Sequence, residues 1–223
     1  MCGRFTLFTR MDEIKKRFDI QASFDEDYQF SYNIAPSHSV LSVINDGTRN
    51  RLGYLRWGLI PFWAKDEKVG YKMINARAET IAEKASFKNA YKKKRCLIIA
   101  DSFYEWKKTQ ARKIPMRIKL KDDGPFGMAG LFESWKSPTG TSIHSCSVIT
   151  TAPNELMTGI HDRMPVILKR EDEKAWLDLS MNDVTYLQQY LKPFDSERME
   201  AFEVSADVNS PKNNSPSLIQ QLC

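Results

Sequence analysis

The sequence of 223 residues has no hydrophobic run long enough to cross a bilayer, and its N-terminus lacks the apolar core of a signal peptide. Its four cysteines are far apart and form no C-x-x-C pair, which argues against a zinc site and against a disulfide framework. No internal repeat or linker-like stretch divides the chain. We therefore expect a cytoplasmic protein without a membrane span, with reduced cysteines and with no metal or other cofactor.

The charge is moderately basic, with a formal net charge of +5. Basic residues cluster at Lys92–Arg95, Lys107–Lys108 and Arg112–Lys113. Each cluster, judged alone, is more simply a solvated face than a track for phosphates. The charge therefore allows an anionic partner such as nucleic acid without establishing one.

Alternating and short apolar segments dominate the middle of the chain and predict strands, with helical spacing at intervals. The pattern predicts one α+β domain over residues 1–223, built on a curled, mainly antiparallel, barrel-like sheet flanked by short helices. The tail, about residues 206–223, is rich in Asn, Ser and Pro and is expected to be irregular. One short helix is predicted to begin after Thr9, which would be its cap, and three more are predicted over 79–94, 170–179 and 184–191. The predicted strands are 39–44, 52–57, 96–100, 103–106, 116–120, 128–135, 145–151, 165–168 and 201–204.

The second residue, Cys2, offers unusual chemistry if Met1 is removed, because it then carries an amine and a thiol on adjacent carbons. Both groups have an appreciable nucleophilic fraction near neutral pH at their reference pKa values. The amine can form a Schiff base with an aldehyde, and the thiol can then close a thiazolidine ring. With an amide substrate, the thiol could instead form a thioester. Taken alone, a cysteine here is better explained as chance or as a small residue that merely permits removal of Met1.

Two titratable residues stand in unusual surroundings. Glu105 lies inside the aromatic stretch Phe103–Trp106, where burial would raise its pKa and suit it to general acid or base catalysis. The alternative is an edge-strand glutamate paired with a lysine. His161 lies in a tight polar turn between Gly159 and Pro165 and could move protons, or could simply make structural hydrogen bonds.

The remaining candidates are amide, hydroxyl and aromatic side chains. Asn75 precedes a predicted helix and is either a site residue or a turn or cap residue. The aromatic residues Trp57, Phe62 and Trp63 stand near basic residues, an arrangement on which unpaired bases stack, although Trp57 could equally fill the core. Loop and strand-end hydrogen-bonding positions are predicted at Asn33, Pro36, Thr150 and Thr151.

Six segments, taken together and in order, resemble the SOS-response-associated peptidase family of abasic-site cross-linking proteins. Any one of these motifs is weak, but six in family order are specific, and the resemblance covers essentially the whole chain. The segments are Met1–Phe5, Tyr32–Pro36, Trp57–Pro61, Ile74–Thr80, Phe103–Trp106 and Ile160–Pro165.

The resemblance implies a sensor of abasic sites in single-stranded DNA that becomes covalently linked through Cys2 after removing its own Met1. By this analogy Asn75 positions Cys2, Glu105 and His161 transfer protons, and failure of ring closure exposes a latent lyase activity. The phosphates flanking the lesion would be contacted by Arg4, Asn33, Arg77 and Arg163. Phe62 and Trp63 would form a wedge favouring single strands and their junctions with duplex. We expect a monomer acting in the cytoplasm at the nucleoid.

Two other functions remain open from the residues. An N-terminal-nucleophile glutaminase would also use Cys2, but it leaves the aromatic, basic loop and the His161 segment unexplained. A non-catalytic module that binds single-stranded DNA would explain the charge and the aromatic residues but leaves Cys2, Glu105 and His161 without a role.

Overall fold

The computed structural model describes residues 2–21 and 27–222. Met1, whose removal the predicted chemistry requires, lies outside this range, as do residues 22–26 and Cys223. Every helix in the described ranges is too short or too polar to span a bilayer. The helices are α1 Met11–Arg17, α2 Lys88–Lys93, α3 Glu155–Thr158, α4 Arg170–Leu177 and α5 Val184–Gln188. The strands are β1 Phe5–Leu7, β2 Ser31–Ile34, β3 Ser39–Asn45, β4 Asn50–Trp57, β5 Asn75–Arg77, β6 Arg95–Ala100, β7 Ser102–Lys108, β8 Lys113–Leu120, β9 Phe126–Lys136, β10 Ser142–Thr151, β11 Met164–Pro165 and β12 Met199–Glu203.

The strands form two sheets. The first is antiparallel, in the order β12-β8-β7-β1-β2. The second runs β11-β10-β4-β3-β6-β9, and it closes into a five-stranded barrel because β9 also pairs with β10. Strand β10 additionally pairs in parallel with β4 and β5. The predicted α+β class with a curled, mainly antiparallel sheet is thus confirmed.

The core follows the apolar pattern of the sequence. Strand β6 is buried along its whole length, as its short apolar run predicts. Its first residue, Arg95, differs from the rest because it is charged and yet fully buried. The Arg95 guanidinium donates hydrogen bonds to main-chain carbonyls that include those of Tyr91, Lys92 and Trp176. Burying this cation is tolerated because its donors are satisfied by carbonyl oxygens.

Two local predictions are wrong at helix starts. Thr9 does not cap α1: the cap residue is Arg10, and the Thr9 hydroxyl donates to Asp101 instead (2.5 Å). Of the range 79–94, which the sequence predicts as one helix, only α2 is an α-helix. Before it, the chain follows β10, since the Ala78 N–H donates to the Thr150 carbonyl and Glu79 pairs with Arg163. These tertiary contacts override the local helical spacing.

Candidate active site

Strand β1 delivers Cys2 to the interior. It lies between β2 and β7, with Phe5 opposite Phe103, and the Tyr104 N–H donates to the Arg4 carbonyl at 2.9 Å. Continuing this antiparallel register by two residues brings Gly3 beside Glu105. Cys2 itself is fully buried in the main core cluster.

The Cys2 thiol is not poised as a thiolate. Burial raises its pKa well above the ordinary value, and the nearby Glu105 carboxylate raises it further. The expectation of an appreciable thiolate fraction near neutral pH is therefore wrong for this buried state. Any attack by this sulfur requires a base that removes its proton.

Asn75 is a strand residue that holds Cys2. Strand β5 pairs with β10, with Asn75 opposite Val148, so the turn or helix-cap alternative is wrong. The Asn75 Nδ2 donates to the Cys2 carbonyl oxygen at 2.8 Å. The Asn75 Oδ1 is buried and has no hydrogen-bond partner within the described ranges. One end of this amide therefore fixes the Cys2 main chain, and the other end presents an acceptor.

Glu105 is a buried carboxyl group with a perturbed pKa. It is 2% exposed, and burial, with a smaller contribution from Asp162, raises its pKa to about 7. Strand β7 lies inside its sheet, between β1 and β8, so the edge-strand alternative is wrong. The Glu105 Oε2 lies 3.8 Å from the His161 Nε2. A carboxyl group that titrates near neutrality suits proton transfer in either direction.

His161 is oriented toward Glu105 by its neighbours in the turn after α3. Its Nδ1 lies 3.0 Å from the Arg163 main-chain nitrogen and 2.9 Å from the Asp162 Oδ1, and these neighbours leave Nε2 facing Glu105. Burial lowers the pKa of His161, while Asp162, 2.9 Å from Nδ1, opposes that change. The ring thus presents Nε2 to the Glu105 carboxyl group.

Glu105 and His161 open into a cleft of 470 Å³. The cleft is also lined by Trp106, Lys108, Lys113 and Asn209. A larger cleft of 810 Å³ lies between α1, the β3–β4 turn and α4, and it contains none of the predicted site residues. Size alone therefore does not locate the chemistry; the perturbed carboxyl group and its partners do.

The predicted stacking residues separate into exposed and buried groups. Phe62 is 56% and Trp63 51% exposed, and Arg77 is also exposed. Pro36 is half-buried. The base of the loop that carries Phe62 and Trp63 is held by a close approach of Gly58 to Gly70. Gly58 has a φ of +128°, and a Cβ added to it would lie 2.7 Å from the Gly70 carbonyl oxygen.

Among the predicted DNA-contacting residues, Trp57, Thr150 and Thr151 are buried in the strands. Trp57 is 1% exposed, packs on Phe5 and donates from Nε1 to the Ile74 carbonyl at 2.9 Å, so the expected exposed stacking face is wrong and the core alternative holds. Thr150 and Thr151 are 1% and 4% exposed. Their burial at the end of β10 makes them unsuitable for contact with a strand bound at the surface.

Arg4 and Asn33 bind the protein's own tail. The Arg4 guanidinium donates to the Asn33 Oδ1 and to the Val208 carbonyl, both at 2.6 Å. The Asn33 Nδ2 donates to the carbonyls of Ser210 (2.9 Å) and Asn213 (2.8 Å). Because both side chains are buried in these bonds, the geometry gives no support to the expected phosphate contacts. The same bonds explain why an irregular tail is held in one conformation.

Arg163 also has a partner within the protein. Its guanidinium makes a two-pronged ion pair with Glu79 (2.7 and 3.0 Å) and donates to the Thr150 carbonyl at 2.6 Å. The guanidinium lowers the pKa of Glu79. Of the four cationic or amide residues expected at phosphates, Arg77 alone is exposed.

Sequence reasoning missed four lining residues, namely Trp106, Lys108, Lys113 and Asn209. A signal existed for the first three, because Trp106 directly follows Glu105 and the two lysines belong to basic clusters. No sequence pattern brings Asn209 there, because it lies more than 100 residues away in the tail. The Trp106 Nε1 donates to the Asn209 Oδ1 at 2.7 Å, which joins the tail to the cleft.

The fold and the site define a class of α+β protein in which a buried cysteine at the second position lies near a buried glutamate, and a histidine faces that glutamate. The chain belongs to the SOS response associated peptidase (SRAP) family, whose model matches residues 1–211. It is 60% identical over 222 residues to the abasic site processing protein YoqW of Bacillus subtilis, covering 99% of both chains. It is 32% identical to the abasic site processing protein HMCES of Xenopus tropicalis, covering 97% of this chain and 77% of the relative. A crystal structure of a Bacteroides thetaiotaomicron protein matches with a TM-score of 0.89 and 30% identity, covering 100% of both chains.

Proposed function

We propose that this protein processes abasic sites in single-stranded DNA by forming a covalent link between the lesion and Cys2, after removing its own Met1. Relatives named as abasic site processing proteins support the substrate class. The observation that carries the proposal is the convergence of Cys2, Asn75, Glu105 and His161, with Asn75 bonded to the Cys2 main chain and Glu105 3.8 Å from His161.

The chemistry balances with the loss of one water. The abasic sugar opens to an aldehyde, and the Cys2 α-amine adds to its carbon to give a carbinolamine. Loss of water leaves a Schiff base. The thiol then adds across the C=N bond, and its proton passes to nitrogen, which closes a thiazolidine. An internal cysteine could not react in this way, because it does not carry a free amine and a thiol on adjacent carbons.

The electrostatics favour attack by the amine before the thiol. The raised pKa of Cys2 keeps the thiol protonated until a base acts on it. Glu105, with a pKa of about 7, is in a suitable state at neutral pH to accept that proton. The free Asn75 Oδ1 is available to accept a hydrogen bond from the α-amine and hold it in attack geometry.

His161 is proposed to help open the sugar. In its imidazolium form, charged by a proton from the Glu105 carboxyl group 3.8 Å away, it protonates the ring oxygen as the bond from that oxygen to C1′ breaks. The Glu105 carboxylate then receives the proton that the C1′ hydroxyl loses as the aldehyde forms. We further propose that Glu105 is the general base for the hydrolysis that removes Met1.

The exposed aromatic residues supply the preference for single strands. Phe62 and Trp63 offer ring faces to unpaired bases at strand junctions, and Arg77 offers a charge to the flanking phosphate. We expect the protein to act as a monomer, in the cytoplasm and at the nucleoid.

Intact mass spectrometry tests the proposal. Untagged protein is mixed with a single-stranded oligonucleotide that carries one abasic site, and its mass is read before and after mixing. We expect loss of one Met and then a denaturation-resistant conjugate lighter than its two components by one water. Cys2→Ala abolishes the conjugate, whereas Cys146→Ala, which changes another fully buried cysteine, retains it.

Other outcomes would favour the rival functions. Processed Cys2 without a conjugate, together with ammonia release from glutamine, would support the glutaminase. DNA binding unchanged in Cys2→Ala, with no conjugate in either protein, would support a non-catalytic binding module.

A further inference from the structure

The hairpin of β7 and β8 places two lysines at the mouth of the active-site cleft. Lys108 and Lys113 are direct cross-strand partners, and both line the cleft that contains Glu105 and His161. Like charges directly opposite each other on paired strands are destabilising. The fold therefore maintains a locally unfavourable pair beside the site.

Two other basic residues of this hairpin form ion pairs, whereas Lys108 and Lys113 form none among the described residues. Arg112, at the tip of the same hairpin, lies 3.1 Å from the Glu203 carboxylate. Lys119, further along β8, pairs with Asp123 and Glu200. Within residues 2–21 and 27–222, no ion pair involves Lys108 or Lys113. Both are exposed, so their charge is directed at the solvent in the cleft.

Asn209 adds a neutral donor to the same wall. Its Oδ1 accepts the Trp106 Nε1–H at 2.7 Å, which leaves the amide nitrogen as the group offered to the cleft. The tail that carries Asn209 is fixed by the bonds of Arg4 and Asn33. The donor is thus held on a rigid support.

We propose that Lys108, Lys113 and Asn209 bind a phosphodiester of the DNA strand next to the reacting sugar, on the cleft side that Arg77 does not line. This inference rests on the proposed function, and it adds that the strand must continue past the lesion on that side. Two cations and an amide donor match the charge and the acceptor oxygens of one phosphodiester. Lys108 also makes a small contribution to the lowered pKa of His161, after burial of the ring, as expected of a cation on the same cleft wall.

Oligonucleotides with the abasic site in the interior, at the 5′ end or at the 3′ end test the proposal. The main variant is Lys113→Ala, with the double variant Lys108→Ala/Lys113→Ala beside it. Lys107→Ala is the matched control, because Lys107 is exposed on the same strand but does not line the cleft. Initial cross-linking rates are measured at subsaturating and saturating DNA.

We expect the double variant to react about tenfold more slowly with the interior lesion at subsaturating DNA, as for loss of hydrogen bonds to a charged group. At saturating DNA, the Lys113→Ala rate returns to that of the wild type. With one of the two end-placed lesions the variants match the wild type, since the phosphodiester they would bind is missing. An equal loss with all three substrates, or the same loss in Lys107→Ala, overturns the proposal.

Equilibrium binding separates this inference from the proposed function. A strand with an unreactive abasic analogue is titrated at several salt concentrations. The double variant is expected to lower the slope of log affinity against log salt by about 0.7, the value for one phosphate contact on a single strand. An unchanged slope rejects the phosphate site even if cross-linking occurs. Absence of cross-linking in the wild type rejects the proposed function, while the slope still decides the site.

Discussion

Glu105→Gln is expected to stabilise the folded protein while slowing its reaction. A carboxyl group whose pKa is higher in the folded than in the unfolded state favours folding only while it is protonated. Its contribution to the free energy of unfolding is complete at a pH below the pKa of the unfolded state. That contribution is lost as the pH rises through the pKa of the folded state. For Glu105 that window runs from 4.5 to about 7. Above it, the folded protein holds a buried carboxylate that glutamine would not carry.

The magnitude follows from the two pKa values. They differ by about 2.5, and each pKa unit corresponds to 1.36 kcal/mol, so the carboxylate destabilises the fold by about 3 kcal/mol at most. The free energy of unfolding of Glu105→Gln is therefore expected to match that of the wild type near pH 4.5. It exceeds the wild-type value by up to about 3 kcal/mol at pH 8. Over the same range, Met1 loss and cross-linking are slowed more than DNA binding.

Urea unfolding at pH 4.5, 6, 7 and 8, followed by tryptophan fluorescence, measures the difference. Glu133→Gln is the matched control, because Glu133 is also buried but forms an ion pair with Lys94 and is expected to lose stability when neutralised. A Glu105→Gln protein that is less stable than the wild type at pH 8, or a difference independent of pH, would refute the reasoning. Equal loss of binding and reaction would make Glu105 a structural residue.

Three further predictions concern Cys2, the tail and the aromatic loop. Cys2→Ser keeps the amine but lacks the thiol, so we expect strand cleavage from the unclosed Schiff base instead of a stable conjugate on a denaturing gel. Borohydride should trap the Schiff base as a conjugate; uncleaved DNA without borohydride, together with no trapped conjugate in its presence, would contradict this. Asn33→Ala removes hydrogen bonds to the tail and is expected to cost about 2–3 kcal/mol in urea unfolding and to expose the tail to proteases; unchanged proteolysis would argue against the clamp. Gly58→Ala is expected to lower the free energy of unfolding by about 1–3 kcal/mol, because of the positive φ of Gly58 and its contact with Gly70. Gly53→Ala is the control, because a Cβ added there meets open space, and equal effects of the two changes would refute the close approach.

The fold was predictable where one physical signal dominated. Strand β6 could be recognised as a short apolar run because it is buried along its whole length, and β3 and β4 could be recognised as strands because the turn Asn45–Gly47 joins them. The helix expected over 79–94 shows the opposite case. Its first half has helical spacing, but backbone and ion-pair contacts to β10 and Arg163 outweigh that weak preference.

The site residues divide in the same way. Glu105 could be identified because a carboxyl group inside an aromatic strand is exceptional in itself, and burial alone accounts for most of its altered pKa. Arg4 and Arg163 could not be assigned, since an arginine that binds phosphate and one that binds a carbonyl or carboxylate look alike in a sequence. Their partners, Val208 and Glu79, lie far away along the chain.

The sequence by itself determined the chemistry: the position of Cys2, the identities of Asn75, Glu105 and His161, and the α+β pattern are local properties of the chain. Only the tertiary structure decided which groups are accessible and charged. It buried the Cys2 thiol and so raised its pKa, bound Arg4 and Asn33 to the tail, and brought Asn209 beside Lys108 and Lys113. The physical reason is that pKa and accessibility depend on neighbours in space, which strand pairing over long sequence separations creates.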